Sequence, residues 1–340
     1  MLVAGLSPAA GQDNPFKGGW LLDTERSVLT FQSVKNNKVV ENSGFASFTG
    51  TIDEAGSAIV KVQLDSVDTG IDLRNVRMRF LFFETYQFPE ATISAKIDIA
   101  RLGDLTNTRR ARIPLEFDMT LHGVTKPLKT DVIVTRMSNA EVAVASAAPL
   151  PIGVALFGME ENVLKLEEAA KVNILRSGSV SFNFVFKNGE RASETVQVAS
   201  LAPVAPAQTA LEAKGNFSTE ACEGRFEILS RTDAIYFQSG SAALDPNSSP
   251  VLKTVADIAK RCPDLRIQIA GHTDSAGDAS FNQRLSEARA ASVLRYLAQS
   301  GISENRMRSI GYGEERPVAA NDTARNRRLN RRIEFSAIGG

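Results

Sequence analysis

The segment Gly271-His-Thr-Asp274-Ser-Ala-Gly277 sets a carboxylate in a glycine-bounded loop, after the apolar alternation Leu265 to Ala270 and before a long helical pattern. On that pattern Asn282, Leu285 and Arg289 stand three and four residues apart, so they share one helix face. A loop acid and a helix base can therefore converge on one region. Taken singly, Asp274 could equally cap backbone N–H groups at the helix start. An exposed Asp–Arg pair would add under about 1 kcal/mol. Both readings stay open on spacing alone.

Other chemistry has little material. The 340 residues hold two histidines, His122 and His272, and two cysteines, Cys222 and Cys262. A Ser-His-Asp constellation or a histidine-rich metal centre is poorly supplied. His272 and the two cysteines could offer three zinc ligands, but the tight pair spacings of zinc sites are missing, so no metal is expected. No poised carboxylate pair is visible, and no catalytic residue is assigned. The chain reads as a non-enzyme. His122 precedes Gly123 in a turn and reads as structural. The cysteines, 40 residues apart, fit one disulfide in an oxidising compartment or two buried free thiols. Arg325-Asn-Arg-Arg-Leu-Asn-Arg-Arg332 carries five arginines. Lys+Arg and Asp+Glu both total 39, however, and no aromatics are interleaved, so nucleic acid is not an expected partner.

The elements that must position these groups divide into two regions. From Trp20 to about Val198 the pattern has period two, as half-buried antiparallel strands do. Ala91 to Ile99 and Ile113 to Leu121 alternate cleanly. Val28 to Phe31, Phe45 to Ile52, Ile59 to Leu64, Leu128 to Val134, Val142 to Val144 and Val180 to Phe186 complete about eight strands, enough for a sandwich or barrel. Met159, Val163, Leu166 and Ala170 break that rhythm at helical spacing before the last strand. After a segment at 199–216 rich in Ala and Pro, the order changes. Ala234 to Phe237 reads as a strand, Pro246 to Arg261 as a helix, and Leu265 to Ala270 as a strand. Ser280 to Ser300 reads as a helix closed by Gly301, Arg306 to Gly311 and Leu329 to Ala337 as strands. The expectation is a multidomain chain: an all-β region 15–198, a linker 199–216 and an α+β region 217–340 with β-α-β-α-β-β order. The linker would span roughly 20 to 25 Å and let the two domains move independently. No run nears the ~18 apolar residues of a membrane helix. Met1 to Ala10 reads either as the tail of an export signal or as a loose N-terminus.

The motifs Ile235-Tyr-Phe237, Ser241-Ala-Ala-Leu244, Gly271-His-Thr-Asp274, Asn282-Gln-Arg-Leu285-Ser-Glu-Ala-Arg289-Ala, Gly311-Tyr-Gly-Glu314, Pro317, Asn321 and Asn330-Arg-Arg-Ile-Glu334 together resemble the OmpA-like peptidoglycan-binding domain. The resemblance implies binding of the diaminopimelate of the cell-wall stem peptide. It carries the key acid onto Asp274 and the key base onto Arg289, with Thr273, Asn282 and Arg332 as further members of the site. Diaminopimelate ends in an ammonium and a carboxylate on one carbon, which suits an anion beside a planar cation. Asn326 stands where that family often has glycine, and an asparagine can adopt the same left-handed backbone.

Trp20, Ser27 to Phe31, Gly44-Phe-Ala-Ser-Phe-Thr-Gly50, Asp68-Thr-Gly-Ile-Asp-Leu-Arg-Asn75, Phe82-Phe83, Phe88-Pro-Glu-Ala91 and Leu121-His-Gly-Val-Thr-Lys-Pro-Leu128 resemble the YceI-like domain. That family implies a lipocalin-like antiparallel barrel that binds polyisoprenoid or other lipid chains, the one bound group expected here. An eight-stranded barrel is either just filled by side chains or able to hold one slender ligand, so a lipid carrier and a filled structural or protein-docking module both stay open. Which phenylalanines face inward is not given by alternation, and no lipid-contact residues are assigned. Together the resemblances imply a periplasmic protein attached to peptidoglycan, associated with the cell wall or outer membrane, with an envelope protein as a further candidate partner.

Overall fold

The computed structural model describes residues 14–102, 105–189, 215–232 and 234–338. The first ten residues and nearly all of the expected linker lie outside these. The N-terminal strands are β1 (Trp20–Lys35), β2 (Val39–Phe45), β3 (Phe48–Ile52), β4 (Ser57–Gln63), β5 (Val67–Asp68) and β6 (Glu90–Lys96). They continue with β7 (Arg110–Leu121), β8 (Val124–Arg136), β9 (Glu141–Ser146), β10 (Leu150–Gly153) and β11 (Ser177–Asn188). Pairing of β11 with β1 closes eight of them, in the order β1-β3-β4-β6-β7-β8-β9-β11, into an antiparallel barrel. Strands β2, β5 and β10 extend it outside the ring.

Besides β11, the long β1 serves two further partners, pairing through Trp20 and Leu21 with β3 and through Thr30 to Lys35 with β2. A bulge between Asp23 and Val28 makes this possible. Ser27 holds it: its hydroxyl donates to the Asp23 carbonyl at 2.6 Å and accepts from Val185 N–H at 2.9 Å. The single strand expected over Phe45 to Ile52 is therefore two. The chain turns a corner at Ala46 and Ser47, whose N–H groups donate to the Ser66 carbonyl and hydroxyl, at 3.1 and 3.0 Å.

Helix α1 (Asp72–Arg77) continues into a π-helical turn, Met78–Phe82, and α2 (Glu160–Ala170) is the expected insertion before β11. In the C-terminal region α3 (Thr219–Ser230), α4 (Ser249–Arg261), α5 (Ala279–Gln299) and α6 (Ala324–Asn330) accompany strands β12 (Arg266–Gly271), β13 (Met307–Gly311) and β14 (Ile333–Ile338). The sheet order is β13-β12-β14, with β12 and β13 parallel and β14 antiparallel. The strand expected over Ala234 to Phe237 is reduced to one bridge, Phe237 to Leu244. Its polar neighbours are spent locally instead, with Tyr236 N–H donating to the Ser248 hydroxyl at 2.7 Å. The start of the strand expected from Leu329 is helical, because Thr323 caps α6 by accepting from Asn326 N–H at 3.1 Å. Asn326 is thus in right-handed helix and needs no left-handed backbone. Cys222 and Cys262 form the disulfide, tying α3 to the end of α4.

The two regions do not behave as beads on a string. Val76, Phe80, Leu81 and Leu166 of the barrel region share one buried cluster with Phe226, Ile228, Leu229 and Val255 of the C-terminal region. Arg225, 1% exposed, reaches across to both carboxylate oxygens of Asp72 at 3.0 Å. Gly224 allows the approach, since a Cβ there would stand 2.8 Å from Leu73 Cδ1. Independent motion is therefore not what the described residues show. Val76, Phe80 and Leu81 of α1 and the π-turn are covered by α3, while Phe82 of the same turn faces the barrel interior.

Candidate functional site

In the C-terminal domain, β12 and β13 run in parallel and end at Gly271 and Gly311, beneath α5. The Gly271-to-Asp274 loop crosses from β12 to α5. Backbone bonds hold it: His272 N–H donates to the Arg332 carbonyl at 3.0 Å and Thr273 N–H to that of Gly313 at 2.8 Å. Asp274, 7% exposed, accepts from Arg331 Nη1 at 2.5 Å through Oδ2 and from Ala276 N–H at 2.9 Å through Oδ1. Arg289 lies half-buried one helix face away. Its Nε donates to the Ser241 carbonyl at 3.1 Å, and its guanidinium sits 4.9 Å over the Phe237 ring. Burial, and then the positive charge of Arg331, pull the Arg289 pKa down, while the Asp274 carboxylate opposes them. Acid and base are thus within electrostatic reach of each other, with a second guanidinium alongside.

The remaining expected residues take different roles. Asn282 is buried and braces the loop, its Nδ2 donating to the carbonyls of Asp274 and Ala276 at 3.3 and 3.2 Å and to Glu314 Oε2 at 2.7 Å. Thr273 presents a buried hydroxyl with no hydrogen-bond partner among the described residues. Arg332 is turned away from Asp274, donating to Glu334 Oε1 through Nε at 2.7 Å and to the Arg316 carbonyl through Nη2 at 3.1 Å. Its neighbour Arg331 stands at Asp274 instead. The resemblance in sequence named Arg332, and the structure sets the adjacent Arg331 at the acid.

His272 is buried, stacked on Tyr312, with Nε2 3.4 Å from Glu334 Oε2. Together with Arg332 it holds the Glu334 carboxyl down at about 2, against the opposing effect of burial. A carboxyl depressed by folding stabilises the fold above its unfolded value and loses that contribution as pH falls through the folded one. The C-terminal domain is accordingly expected to lose stability from about pH 4.5 down to about pH 2. Urea midpoints measured across that range should fall less steeply in Glu334→Gln than in wild type. Equal slopes would show that the Glu334 interactions do not contribute.

The barrel encloses a cavity of about 640 Å³. Phe31, Phe45, Phe82, Phe83, Phe117, Phe182, Phe184 and Phe186 line it with aliphatic residues from every ring strand. It has room for roughly twenty water-sized units and falls within the ordinary range of small-molecule sites. The barrel is therefore not filled. One end is apolar, closed by Phe82, Phe83, Phe157 and Met159 beside the π-turn. Asn162 secures that end, donating to the Phe82 carbonyl at 2.9 Å. His122, in the expected turn, lies 3.0 Å from Glu84 Oε2, and Lys165 Nζ lies 3.2 Å from Glu84 Oε1. Burial raises the Glu84 pKa, but these partners outweigh it and hold the carboxyl below its usual range. Lys165 also donates to the Thr232 carbonyl at 3.1 Å, bonding this end of the barrel to the C-terminal domain.

The C-terminal α+β sheet thus carries a carboxylate with two guanidiniums, and the N-terminal region is a closed barrel with an apolar interior. The family model of the YceI-like domain matches residues 20–186, and that of the OmpA family matches residues 236–331. The chain thus carries a region that matches the YceI-like domain and, after it, a region that matches the OmpA family. Both families are binding or structural rather than catalytic. Over 102 residues the chain is 40% identical to outer membrane porin F of Pseudomonas fluorescens, covering 30% of this chain and 31% of that protein. Over 101 residues it is 39% identical to the peptidoglycan-binding protein ArfA of Mycobacterium tuberculosis, covering 30% of this chain and 31% of that one. The chain thus spans about a third of the length of these relatives. A solved polyisoprenoid-binding domain from Saccharophagus degradans, implicated in plant cell wall breakdown, is 32% identical, with 50% of this chain and 98% of that one covered and a TM-score of 0.48. Among the described residues no helix is long and apolar enough to cross a membrane, and no group of three or more His, Cys, Asp or Glu is placed to hold a metal ion.

Proposed function

We propose that the C-terminal domain binds peptidoglycan by the zwitterionic end of diaminopimelate, and that the barrel holds a long isoprenoid or other lipid chain. Asp274 accepts from the ligand ammonium. Arg289 grips the carboxylate with its planar fork. Asn282 holds the loop in register, and the free hydroxyl of Thr273 is available to a ligand polar group. The observation that carries the reading is the buried Asp274 carboxylate within electrostatic reach of Arg289. The protein works without catalysis, in the periplasm at the wall or outer membrane, and keeps the barrel's ligand near the wall. The 640 Å³ cavity favours the lipid reading of the barrel over a filled docking module.

Two measurements test this. Sedimentation with purified peptidoglycan should pellet the full chain. Native mass spectrometry of protein purified from an envelope-bearing host should show a stoichiometric long-chain adduct that organic extraction removes. A chain that stays in the supernatant defeats the wall half. A protein that comes out empty and takes up no added long-chain lipid defeats the barrel half.

A further inference from the structure

Among the described residues, one charged side chain lines the mostly apolar cavity. Arg136, at the end of β8, stands where the lining turns polar, beside Ser138 and Asn139 of the β8–β9 turn and Asn14 of the N-terminal segment. Hydrogen bonds to main-chain carbonyls assemble this end: Asn188 N–H donates to that of Ala140 at 2.9 Å, the Asn188 side-chain Nδ2 to that of Lys17 at 2.8 Å, and Arg136 N–H to that of Arg109 at 2.8 Å. It lies opposite the end closed by Phe82, Phe157 and Met159. The cavity is therefore amphipathic along its length, apolar toward the C-terminal domain and cationic at the far end.

The charge of Arg136 is not spent within the fold. Its guanidinium donates to the Asn139 amide oxygen, a neutral acceptor, and no carboxylate pairs with it among the described residues. The two nearest acids along the chain, five residues away on either side, are taken by other arginines, Asp131 by Arg112 at 2.8 Å and Glu141 by Arg26 at 2.6 Å. Glu54, beside Asn14, accepts from Gly18 N–H at 2.9 Å. The neighbouring Arg109 and Arg110 are exposed and add positive charge around the same end. Arg136 is half-buried at the cavity mouth, so its guanidinium can meet both the apolar lining and an anionic group.

We infer that the barrel selects a long-chain amphiphile with an anionic head group, carboxylate or phosphate, its tail along the phenylalanine-lined interior and its head on Arg136. This rests on the reading of the barrel as a lipid site and names the class of lipid.

The test is displacement of a fluorescent fatty probe from the delipidated full chain, below micelle-forming concentrations, by hexadecanoic acid, hexadecyl phosphate and hexadecanol. The wild type should bind at least one of the anions about tenfold more tightly than the alcohol, as charge-assisted hydrogen bonds warrant. Whether carboxylate or phosphate leads identifies the head. Arg136→Gln should bring the anions within about twofold of the alcohol, and Arg136→Lys should keep most of the preference. Equal binding of anions and alcohol by the wild type, or an undiminished preference in Arg136→Gln, overturns the inference while the lipid reading stands. Failure of all three compounds to displace the probe overturns both.

Discussion

Asp274→Ala leaves the protein in the supernatant when purified peptidoglycan is pelleted. The carboxylate is buried and already shares its oxygens with Arg331 and the Ala276 amide, so it meets a ligand ammonium in a partly dried setting. Removing one member of such a charge pair strands the other and costs about 2–5 kcal/mol, or roughly thirtyfold or more in affinity. Arg289→Ala has the same outcome from the other side. Arg289→Lys falls between, because an ammonium keeps the charge but loses the two-pronged contact. Arg332→Ala, by contrast, retains binding wherever the domain stays folded, since that side chain serves Glu334. Thermal melts of each variant separate loss of ligand from loss of fold. Wild-type pelleting by both Asp274→Ala and Arg289→Ala would remove these residues from the site.

Gly271→Ala unsettles the whole C-terminal domain. A Cβ at residue 271 would stand 2.2 Å from the Ser286 carbonyl oxygen and 3.0 Å from its carbon, and backbone in mid-helix cannot swing aside. Gly311 meets α5 as closely, with Glu287 N at 2.4 Å. The helix that carries Asn282 and Arg289 rests directly on these two strand ends, so one methyl group must lift it. The expected loss is about 3 kcal/mol, seen as a melting point lower by roughly 10 °C or more. Gly153→Ala, with nothing within 4 Å of its Cβ, is the control and should move the melting point little. Equal melting of wild type and Gly271→Ala would mean that α5 is free to retreat, and with it Arg289.

The elements were legible where the pattern is local. Period-two alternation marks the barrel strands because each buries one face, and the spacing of Met159, Val163 and Leu166 marks α2. The exceptions are sites where a single polar side chain takes up main-chain groups that a strand would have used. Ser66 breaks the Phe45 to Ile52 run, Ser248 holds Tyr236 out of the sheet, and Thr323 starts a helix in the arginine run. Capping groups close in sequence, such as Thr323, carry a signal that can be read. The partners of Ser66 and Ser248 lie across the fold and carry none.

For the site, the amino-acid order alone put an acid in the loop and a base on one face of the next helix, since loop-to-helix spacing is short and helix geometry is rigid, and left their pairing open. It also determined which motif strings to trust. Which guanidinium reaches Asp274, which phenylalanines enclose a void and what covers α1 were decided only by tertiary structure. Residues 331 and 332 are adjacent, and small differences in backbone direction send them to Asp274 and Glu334. A cavity is space left between strands that meet over more than a hundred residues of chain, and no periodicity within one strand records its width.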